Sequence, residues 1–262
     1  MLRRWLQTSA LLLVIVGVFA AVGLGEVVQR GDLRVYFQGG IAPRALPRHG
    51  EAAVAVSVSG HVVSTDGSNP PQLRSISIAI NRNGHLDHTG LPVCRYGQLQ
   101  AASTRQALAT CGSAIVGGGF FRAKVVLPEQ SPFPSGGRVL AFNGILHGRH
   151  VVFAHVYGTS PLPQSRVLTF HFRRRRGGGY GIVLRAHLPR VAAEWGYVSR
   201  VSLTLKRHFR YRGRARSFLT AACPAPAGFT VATFPLARAS FAFEDGRKLT
   251  STLVRSCRVR GA

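Results

Sequence analysis

Residues 73–81 read LRSISIAIN, a stretch in which Ile76, Ile78 and Ile80 alternate with Ser75, Ser77 and Ala79. An alternation of period two places apolar side chains on one face of a β-strand and small or polar side chains on the other. The stretch therefore predicts a strand with one buried face, and the same pattern guides the interpretation of the rest of the chain.

The alternation recurs on both sides of this strand. Upstream it is found in residues 33–37 and 54–58. Downstream, further strands are predicted over 120–127, 139–146, 151–157, 167–172, 180–188 and 198–209. Two turns, Arg212-Gly213 and Asp245-Gly246, predict tight hairpins. About eleven to thirteen strands with almost no helix between them favour antiparallel sheets packed face to face. We predict an all-β fold, an antiparallel β-sandwich-like domain over residues 26–262.

One segment breaks the strand pattern. Residues 104–111 read TRQALATC, with Ser103 placed to cap the first turn of a helix and Gly112 placed to end it in the left-handed conformation. We predict one short helix here. The stretch 128–137, PEQSPFPSGG, is the best candidate for a domain boundary or a long surface loop within one continuous sandwich.

The N-terminus carries an apolar run. Arg3 and Arg4 precede residues 10–25, ALLLVIVGVFAAVGLG, which contain no polar side chain. As a helix this run is about 24 Å long, and residues 6–25 would reach roughly 30 Å, the thickness of a hydrocarbon core. Residues 1–25 are therefore predicted to form an apolar helix, either a cleaved signal peptide or a membrane anchor. Either case places the chain from residue 26 onward outside the cytoplasm, secreted or anchored to the outer face of the cytoplasmic membrane.

The four cysteines lie beyond this segment, at Cys94, Cys111, Cys223 and Cys257. An even number of cysteines outside the cytoplasm is typical of disulfides, here two. Of the three possible pairings we favour Cys94–Cys111 and Cys223–Cys257, because each pair is close in sequence. A zinc site is the alternative, but no two cysteines have the close spacing that such a site uses.

The composition is strongly basic. Lys and Arg number 34 against 9 Asp and Glu, a formal net charge of +25, and only three of the basic residues are lysine. This balance excludes an acidic disordered tail, and the chain has neither the heptads of a coiled coil nor the repeated apolar runs of a multi-span membrane protein. Nine acids also argue against a carboxylate-rich active site or a calcium cage.

Several short motifs carry a resemblance. They are the stretches 73–84, 90–94, 141–144 (AFNG), 154–158 (AHVYG) and 178–181 (GGYG), in that order. With them the chain resembles a group of uncharacterised exported β-rich proteins of actinobacterial type over most of residues 26–262. The resemblance implies export and a shared architecture, and it implies no activity and no catalytic residue. A GC-rich genome would also explain part of the preference for arginine over lysine.

Arginine is concentrated in two segments. The first is the run Arg173, Arg174, Arg175 and Arg176; the second holds Arg210, Arg212 and Arg214 around the predicted hairpin turn. Guanidinium groups suit phosphate, sulfate and carboxylate, so these seven residues are the predicted anion-binding residues. Outside the cytoplasm the abundant anions are lipid headgroups, wall polymers and acidic polysaccharides, whereas nucleic acid is a less favoured partner. The alternative is a solvated surface in an arginine-rich proteome.

Catalytic and metal motifs are weak. His85, Asp87 and His88 resemble part of a metal site, as do His147, His150 and His155, but their strand spacing places neighbours on opposite faces. The chain has no Gly-x-Ser-x-Gly elbow, and Glu244-Asp245 fit a turn better than a pair of catalytic carboxylates. The glycine triplets at 117–119 and 177–179 lack the lysine of a phosphate loop and are predicted to be turns or close-packed strand ends. We predict no catalytic residue, no metal and no cofactor.

The predicted function is a non-enzymatic exported or membrane-anchored β-domain that contacts anionic envelope components through its arginines. Anionic lipid or wall polymer is the expected partner, and residues 6–25 would add a membrane contact if uncleaved. One alternative is a hydrolase that acts on envelope material. Another is a structural domain with an apolar groove for lipid, which the aromatic residues Phe120, Phe121, Phe241 and Phe243 would permit.

Overall fold

The computed structural model describes residues 26–160, 163–189 and 196–261, and these are built mainly from β-strands. In chain order the strands are β1 (Glu26–Arg30), β2 (Leu33–Ala42), β3 (Ala45–Leu46), β4 (Ala52–Ala53), β5 (Ala55–Ser64), β6 (Leu73–Asn81), β7 (Gly84–Leu86), β8 (Cys94–Arg95), β9 (Ile115–Val125), β10 (Phe133–Leu146), β11 (Arg149–Gly158), β12 (Gln164–Arg174), β13 (Tyr180–His187), β14 (Gly196–Leu205), β15 (His208–Tyr211), β16 (Arg214–Ser217), β17 (Leu219–Ala221), β18 (Val231–Phe243) and β19 (Lys248–Val259). The helices are α1 (Tyr96–Leu99), α2 (Thr104–Cys111) and a 3₁₀ turn at Gly112–Ala114.

Most strands belong to one large sheet of fourteen strands, in the order β1-β2-β5-β14-β9-β10-β11-β12-β13-β6-β18-β19-β3, with β8 paired to β10. Neighbours are antiparallel except β3 with β19 and β8 with β10, which are parallel. Two small sheets complete the structure, β4-β17-β7 and the hairpin β15-β16.

The large sheet curls until its two ends meet. The Arg255 Nε on β19 donates to the Gly39 carbonyl oxygen on β2 at 2.7 Å, so strands from opposite ends of the order are in contact. Gly39 permits this approach, because a Cβ there would lie 2.8 Å from the Leu253 side chain. The predicted β-rich fold is confirmed, but one curled sheet stands where the sequence predicts two packed sheets. A period-two pattern shows which face is buried and not which strands share a sheet.

The main core fills the inside of this curl. Its largest side chains include Phe37 on β2, Phe218 before β17, and Phe241 and Phe243 on β18, all with exposed fractions below 5%. Phe241 and Phe243 therefore line no groove. The strand β6, with its alternating isoleucines, lies between β13 and β18. Its Ile78 is paired with Leu184 on one side and with Ala239 on the other.

A second core covers the opposite face of β10 and β11. Phe142 and Phe153 are fully buried there beneath α1 and α2, beside the bridge between Cys94 and Cys111. Both faces of these two strands are thus buried, which explains their nearly unbroken runs of apolar residues. The helix α2, which covers this core, is stabilised by a capping box at its N-terminus. The Ser103 hydroxyl accepts from the Gln106 backbone N–H, and the Gln106 side-chain oxygen accepts from the Ser103 backbone N–H.

The helix predicted at 104–111 is confirmed, but its end is not the predicted left-handed one. Gly112 is right-handed, with φ −58°, because the chain continues into the 3₁₀ turn. Residues 128–137 are not a domain boundary, since the strands on both sides, β9 and β10, pair with each other from Val125 and Phe133 onward.

Two further expectations differ from the structure. The strand predicted over 198–209 is split, with β14 ending at Leu205 in the large sheet and β15 starting at His208 in a separate hairpin. Of the two interpretations of the glycines 117–119, turns are wrong and close packing is confirmed, because they lie inside β9 and a side chain at Gly119 would overlap the Ser202 carbonyl oxygen of β14. They are strand positions at which two backbones approach closely.

The predicted apolar helix over residues 1–25 lies outside the described residues. In the ranges that the structure does describe, no helix is long and apolar enough to span a bilayer.

Candidate functional site

An open cleft of about 780 Å³ lies between the two small sheets. One wall is the sheet β4-β17-β7 with the residues next to it, and the other is the hairpin β15-β16. The charged or titratable side chains that line the cleft are Glu51, His85, Asp87, His208, Arg210 and Arg216. Of these, His208, Arg210 and Arg216 belong to the hairpin, and Glu51, His85 and Asp87 belong to the opposite wall.

The hairpin is held in place by backbone contacts at its base. The Phe218 N–H donates to the Arg207 carbonyl oxygen at 2.9 Å, and the Asp87 N–H donates to the Phe218 carbonyl oxygen at 3.0 Å. The turn itself has positive φ at both central residues, Arg212 (49°) and Gly213 (73°), which matches the tight hairpin predicted there. Arginines at the tip are therefore carried on a short, regular element.

Tyr211 organises the arginine side chains of the hairpin. The guanidinium carbons of Arg212 and Arg216 lie 5.3 and 5.8 Å from the centre of its ring. Cations at this distance are attracted by the face of an aromatic ring. The tyrosine ring is therefore a platform that keeps two positive charges close together.

Arg216 also forms an ion pair across the cleft. Its Nη1 lies 2.6 Å from Oδ2 of Asp87. Burial acts to raise the pKa of Asp87, but hydrogen bonds from Thr89 and the contact with Arg216 outweigh it and hold the pKa below its ordinary value. The carboxylate stays charged at neutral pH and fixes the position of Arg216.

Glu51 binds two side chains of the same wall. Its Oε1 lies 2.9 Å from Nδ1 of His85, and its Oε2 accepts from the Thr220 hydroxyl. A carboxylate at Nδ1 keeps the proton on that nitrogen, so the Nε2 of a neutral His85 has its lone pair available. His85 and Glu51 are about half exposed, 51% and 42%, and a ligand in the cleft can reach them.

Two histidines meet beside the cleft. The ring centres of His88 and His150 lie 3.6 Å apart. Burial, the neighbouring His150 and the charge of Arg174 together lower the pKa of His88, against the opposing effect of Asp87.

The structure places the seven predicted anion-binding residues as follows. Arg173 and Arg174 end β12, and Arg175 and Arg176 follow in the turn before β13. Arg210 lines the cleft, and Arg212 and Arg214 flank the hairpin tip. All seven are exposed, and within the described ranges none of them forms an ion pair with a carboxylate.

The cysteine prediction is confirmed. Cys94 pairs with Cys111 and Cys223 with Cys257, which leaves no free thiol. In the part of the chain that is described, no three His, Cys, Asp or Glu side chains converge on a point where a metal ion could be held. The Nε2–H of His155 instead donates to the Ala102 carbonyl oxygen, 2.8 Å away in the second core.

Sequence reasoning missed Glu51, Thr220 and His208 as parts of one site. Glu51 and His85 are far apart in sequence, and only the pairing of β17 with both β4 and β7 brings them together. No spacing in the sequence signals this contact. Comparisons of the chain with protein-family models, with curated proteins and with solved structures find no match.

Proposed function

We propose that this protein is a non-enzymatic β-domain, exported or anchored at the membrane, that binds anionic components of the cell envelope through its arginines. The observation that carries the proposal is the cleft between β15-β16 and β4-β17-β7, which Arg210, Arg216 and His208 line, with Arg216 on one face of the hairpin and Arg210 and His208 on the other. Two disulfides are typical of proteins that fold in an oxidising compartment, which supports a location outside the cytoplasm.

The chemistry of the cleft suits a phosphate, sulfate or carboxylate group. Arginine presents paired N–H donors in a fixed plane, and such forks bind the oxygens of these anions with two parallel hydrogen bonds. Arg216 is already oriented by Asp87 and Tyr211, so little conformational freedom is lost when an anion binds beside it. Arg210 lies on the neighbouring strand and supplies the second charge.

The exposed arginines around the cleft extend this site to a polymer or a surface. Arg212 and Arg214 continue the positive charge along the hairpin, and Arg174 adds an exposed charge at the end of β12. A chain or layer of regularly spaced anions would contact several of these residues at once. The shared ligand chemistry is a phosphate or carboxylate group, whether on a lipid headgroup or on a wall polymer.

Binding measurements with residues 26–262 test the proposal. Vesicles of phosphatidylglycerol are compared with vesicles of phosphatidylcholine, and a soluble poly(glycerol phosphate) is compared with a neutral glucan. We expect binding to the anionic member of each pair at low salt, with affinity falling steeply as salt is raised. Preference between vesicle and polymer identifies the source of the anion. No binding to either, or binding unchanged by salt, overturns the proposal.

The pair formed by Glu51 and His85 favours a second candidate function, hydrolysis of a phosphodiester in envelope material. In this reaction Nε2 of His85 takes a proton from water, the water oxygen bonds to phosphorus, and the ester P–O bond breaks. His85 then returns this proton to the leaving oxygen, so the products are a phosphate monoester and an alcohol. Carboxylate-oriented histidines are common general bases.

A chromogenic phosphodiester such as bis(4-nitrophenyl) phosphate tests the second candidate. Turnover that His85→Asn abolishes, with anion binding retained, would support it, because this variant removes the base and leaves Arg210 and Arg216 in place. Glu51→Gln should then shift the pH profile of the rate. Absence of turnover above that of buffer overturns the hydrolase and leaves the binding function standing.

A further inference from the structure

A second groove lies on the outer face of the curled sheet, away from the two small sheets. It has a volume of about 370 Å³ and crosses the four adjacent strands β2, β5, β14 and β9. On β2 the side chains of Leu33, Val35 and Phe37 point into the core, so Tyr36 and Gln38 point outward into this groove. Nothing in the proposed function uses this surface.

The floor of the groove consists of small residues. Ser59 and Gly60 on β5 and Ser202 on β14 are flanked by larger side chains at both ends. The strand register sets Gln38, Ser59, Ser202 and Phe120 in one row across the four strands. Three strand spacings separate the ends of this row, about 14 Å. A depression of this length, with two hydroxyl groups in its floor, has room for a short oligosaccharide.

Aromatic rings form the sides of the groove. The rings of Tyr36 and His61 stack with their centres 5.6 Å apart and their planes 24° from parallel. Phe120 at the far end is 45% exposed, although the phenylalanines of the cores are buried. An exposed phenylalanine in a polar groove leaves apolar area that a ligand can cover. The C–H face of a sugar ring packs on such a surface.

The groove is also positive. Arg200 lines it, and Arg122 and Arg138 follow at neighbouring cross-strand positions on β9 and β10. Among the described residues none of these three arginines has a carboxylate partner. Burial and the charge of Arg200 lower the pKa of His61, so the imidazole is neutral at neutral pH and can donate and accept hydrogen bonds. The charge of the ligand is therefore expected to be negative.

We propose that this groove binds an acidic polysaccharide, with one sugar ring against Phe120 and another against Tyr36, hydroxyls on Ser59, Ser202 and Gln38, and a carboxylate or sulfate on Arg200. The ligand class follows from the combination of a ring-stacking surface, hydroxyl partners and an unpaired guanidinium in one depression. Single-stranded nucleic acid also combines rings with negative charge. The disulfides favour a compartment in which polysaccharide is the more abundant of the two.

Titration calorimetry with residues 26–262 tests the proposal. The probes are a hexamer of galacturonic acid, a neutral cello-hexaose and a single-stranded oligonucleotide of six thymidines. We expect the uronic acid hexamer to bind and the other two to bind at least about tenfold more weakly. Phe120→Ala and Arg200→Gln should each weaken binding about tenfold or more, because one removes the stacking surface and the other a charged hydrogen bond.

Matched controls separate this groove from the cleft. Val254→Ala and Arg258→Gln remove an exposed apolar side chain and an exposed arginine on β19, and they should leave the uronic acid affinity unchanged. A loss of uronic acid affinity in Arg210→Gln but not in Phe120→Ala would assign the binding to the cleft and overturn the proposal. Equal losses in groove and control variants would overturn the proposal, as would tighter binding of the oligonucleotide at the same residues. Circular dichroism of each variant checks that it is folded.

Discussion

The ring of Tyr211 packs directly against the backbone of Gly90, so the arginine hairpin is docked onto the turn that follows β7. Gly90 has φ +77°, and a Cβ at this position would overlap the tyrosine ring. The same ring holds the guanidinium groups of Arg212 and Arg216. One glycine–tyrosine contact therefore positions the wall of the cleft and two of its charges.

Gly90→Ala should destabilise the fold and weaken anion binding. A residue with a side chain at positive φ costs about 1–2 kcal/mol, and displacement of the Tyr211 ring adds about 1–3 kcal/mol. Urea unfolding measures the loss of stability, and binding to phosphatidylglycerol vesicles measures the loss of anion affinity. Gly228→Ala is the control, because Gly228 has φ +83° with nothing within 4 Å of an added Cβ. Equal losses of stability in both variants would show that the contact with Tyr211 contributes nothing.

The arginines of the hairpin should supply most of the salt-dependent affinity. Replacing Arg210, Arg212 and Arg214 together with glutamine removes three exposed charges around one space, and we expect weaker vesicle binding and a flatter dependence on salt. The control replaces three exposed arginines on other elements, Arg105, Arg166 and Arg258.

Both triple variants change the net charge equally, so a difference between them reports position. A further variant with glutamine at residues 173–176 tests whether the end of β12 belongs to the same site. Identical affinities for the hairpin and control variants would mean that only the overall charge matters, and the cleft would then lose its role.

The two disulfides should differ in their effect on binding. Cys223 follows β17 at the edge of the cleft sheet, and Cys257 lies on β19 of the large sheet. Replacing both with alanine should cost about 4 kcal/mol by the loop-closure model, and the Cys94 and Cys111 pair, with its shorter loop, about 3 kcal/mol. Only the first replacement loosens the wall that carries Glu51 and Thr220.

Urea unfolding of the two double-alanine variants measures both costs, and vesicle binding below the unfolding transition measures the effect on the cleft. We expect lower anion affinity without the Cys223–Cys257 bridge and unchanged affinity without the Cys94–Cys111 bridge, which pins α2 over the second core. A loss of affinity in the second variant would contradict this assignment.

Local patterns in the sequence were sufficient for the strands, the helix and the disulfides. The alternation in β6, the Ser103 cap of α2 and the Arg212-Gly213 turn each act through neighbours in the chain, and each is confirmed, whereas the left-handed end predicted at Gly112 is wrong. The closure of the sheet is different, because the contact between Gly39 and Arg255 joins residues that no periodicity relates. A period of two describes a strand's faces and leaves its partners open.

The candidate site also combines features that local sequence patterns predict with contacts that only the folded chain creates. The arginine segments stand out in the sequence because like residues are adjacent. Glu51, His85 and Thr220 are brought together only by the pairing of three very short strands, β4, β17 and β7, which have too few residues to show a pattern. The outward row of Gln38, Ser59, Ser202 and Phe120 depends likewise on the register across four strands.

The pH dependence of stability just below pH 6.5 should be set by histidines. Burial lowers the pKa of His61, His88 and His155 below the ordinary value of 6.5. The folded protein then binds fewer protons than the unfolded chain in this range, so stability is complete above pH 6.5 and falls as the pH decreases. The lowered pKa values of Asp32, Asp66 and Asp87 act in a separate window, because their contribution is lost only as the pH falls below 3.8.

Urea unfolding at pH 7.5, 6.0 and 5.0 checks this, with His155→Gln as the informative variant. His155 is fully buried and its Nε2 contacts the Ala102 carbonyl oxygen, so a glutamine amide can keep that hydrogen bond while removing the titrating ring. We expect His155→Gln to lose less stability than the natural sequence between pH 7.5 and 5.0. His147→Gln, on an exposed turn, is the control and should keep the full pH dependence. If the free energy of unfolding of His155→Gln depends on pH as strongly as that of the natural sequence, the buried imidazole of His155 does not oppose protonation. The loss of stability at low pH would then have to come from His61 and His88.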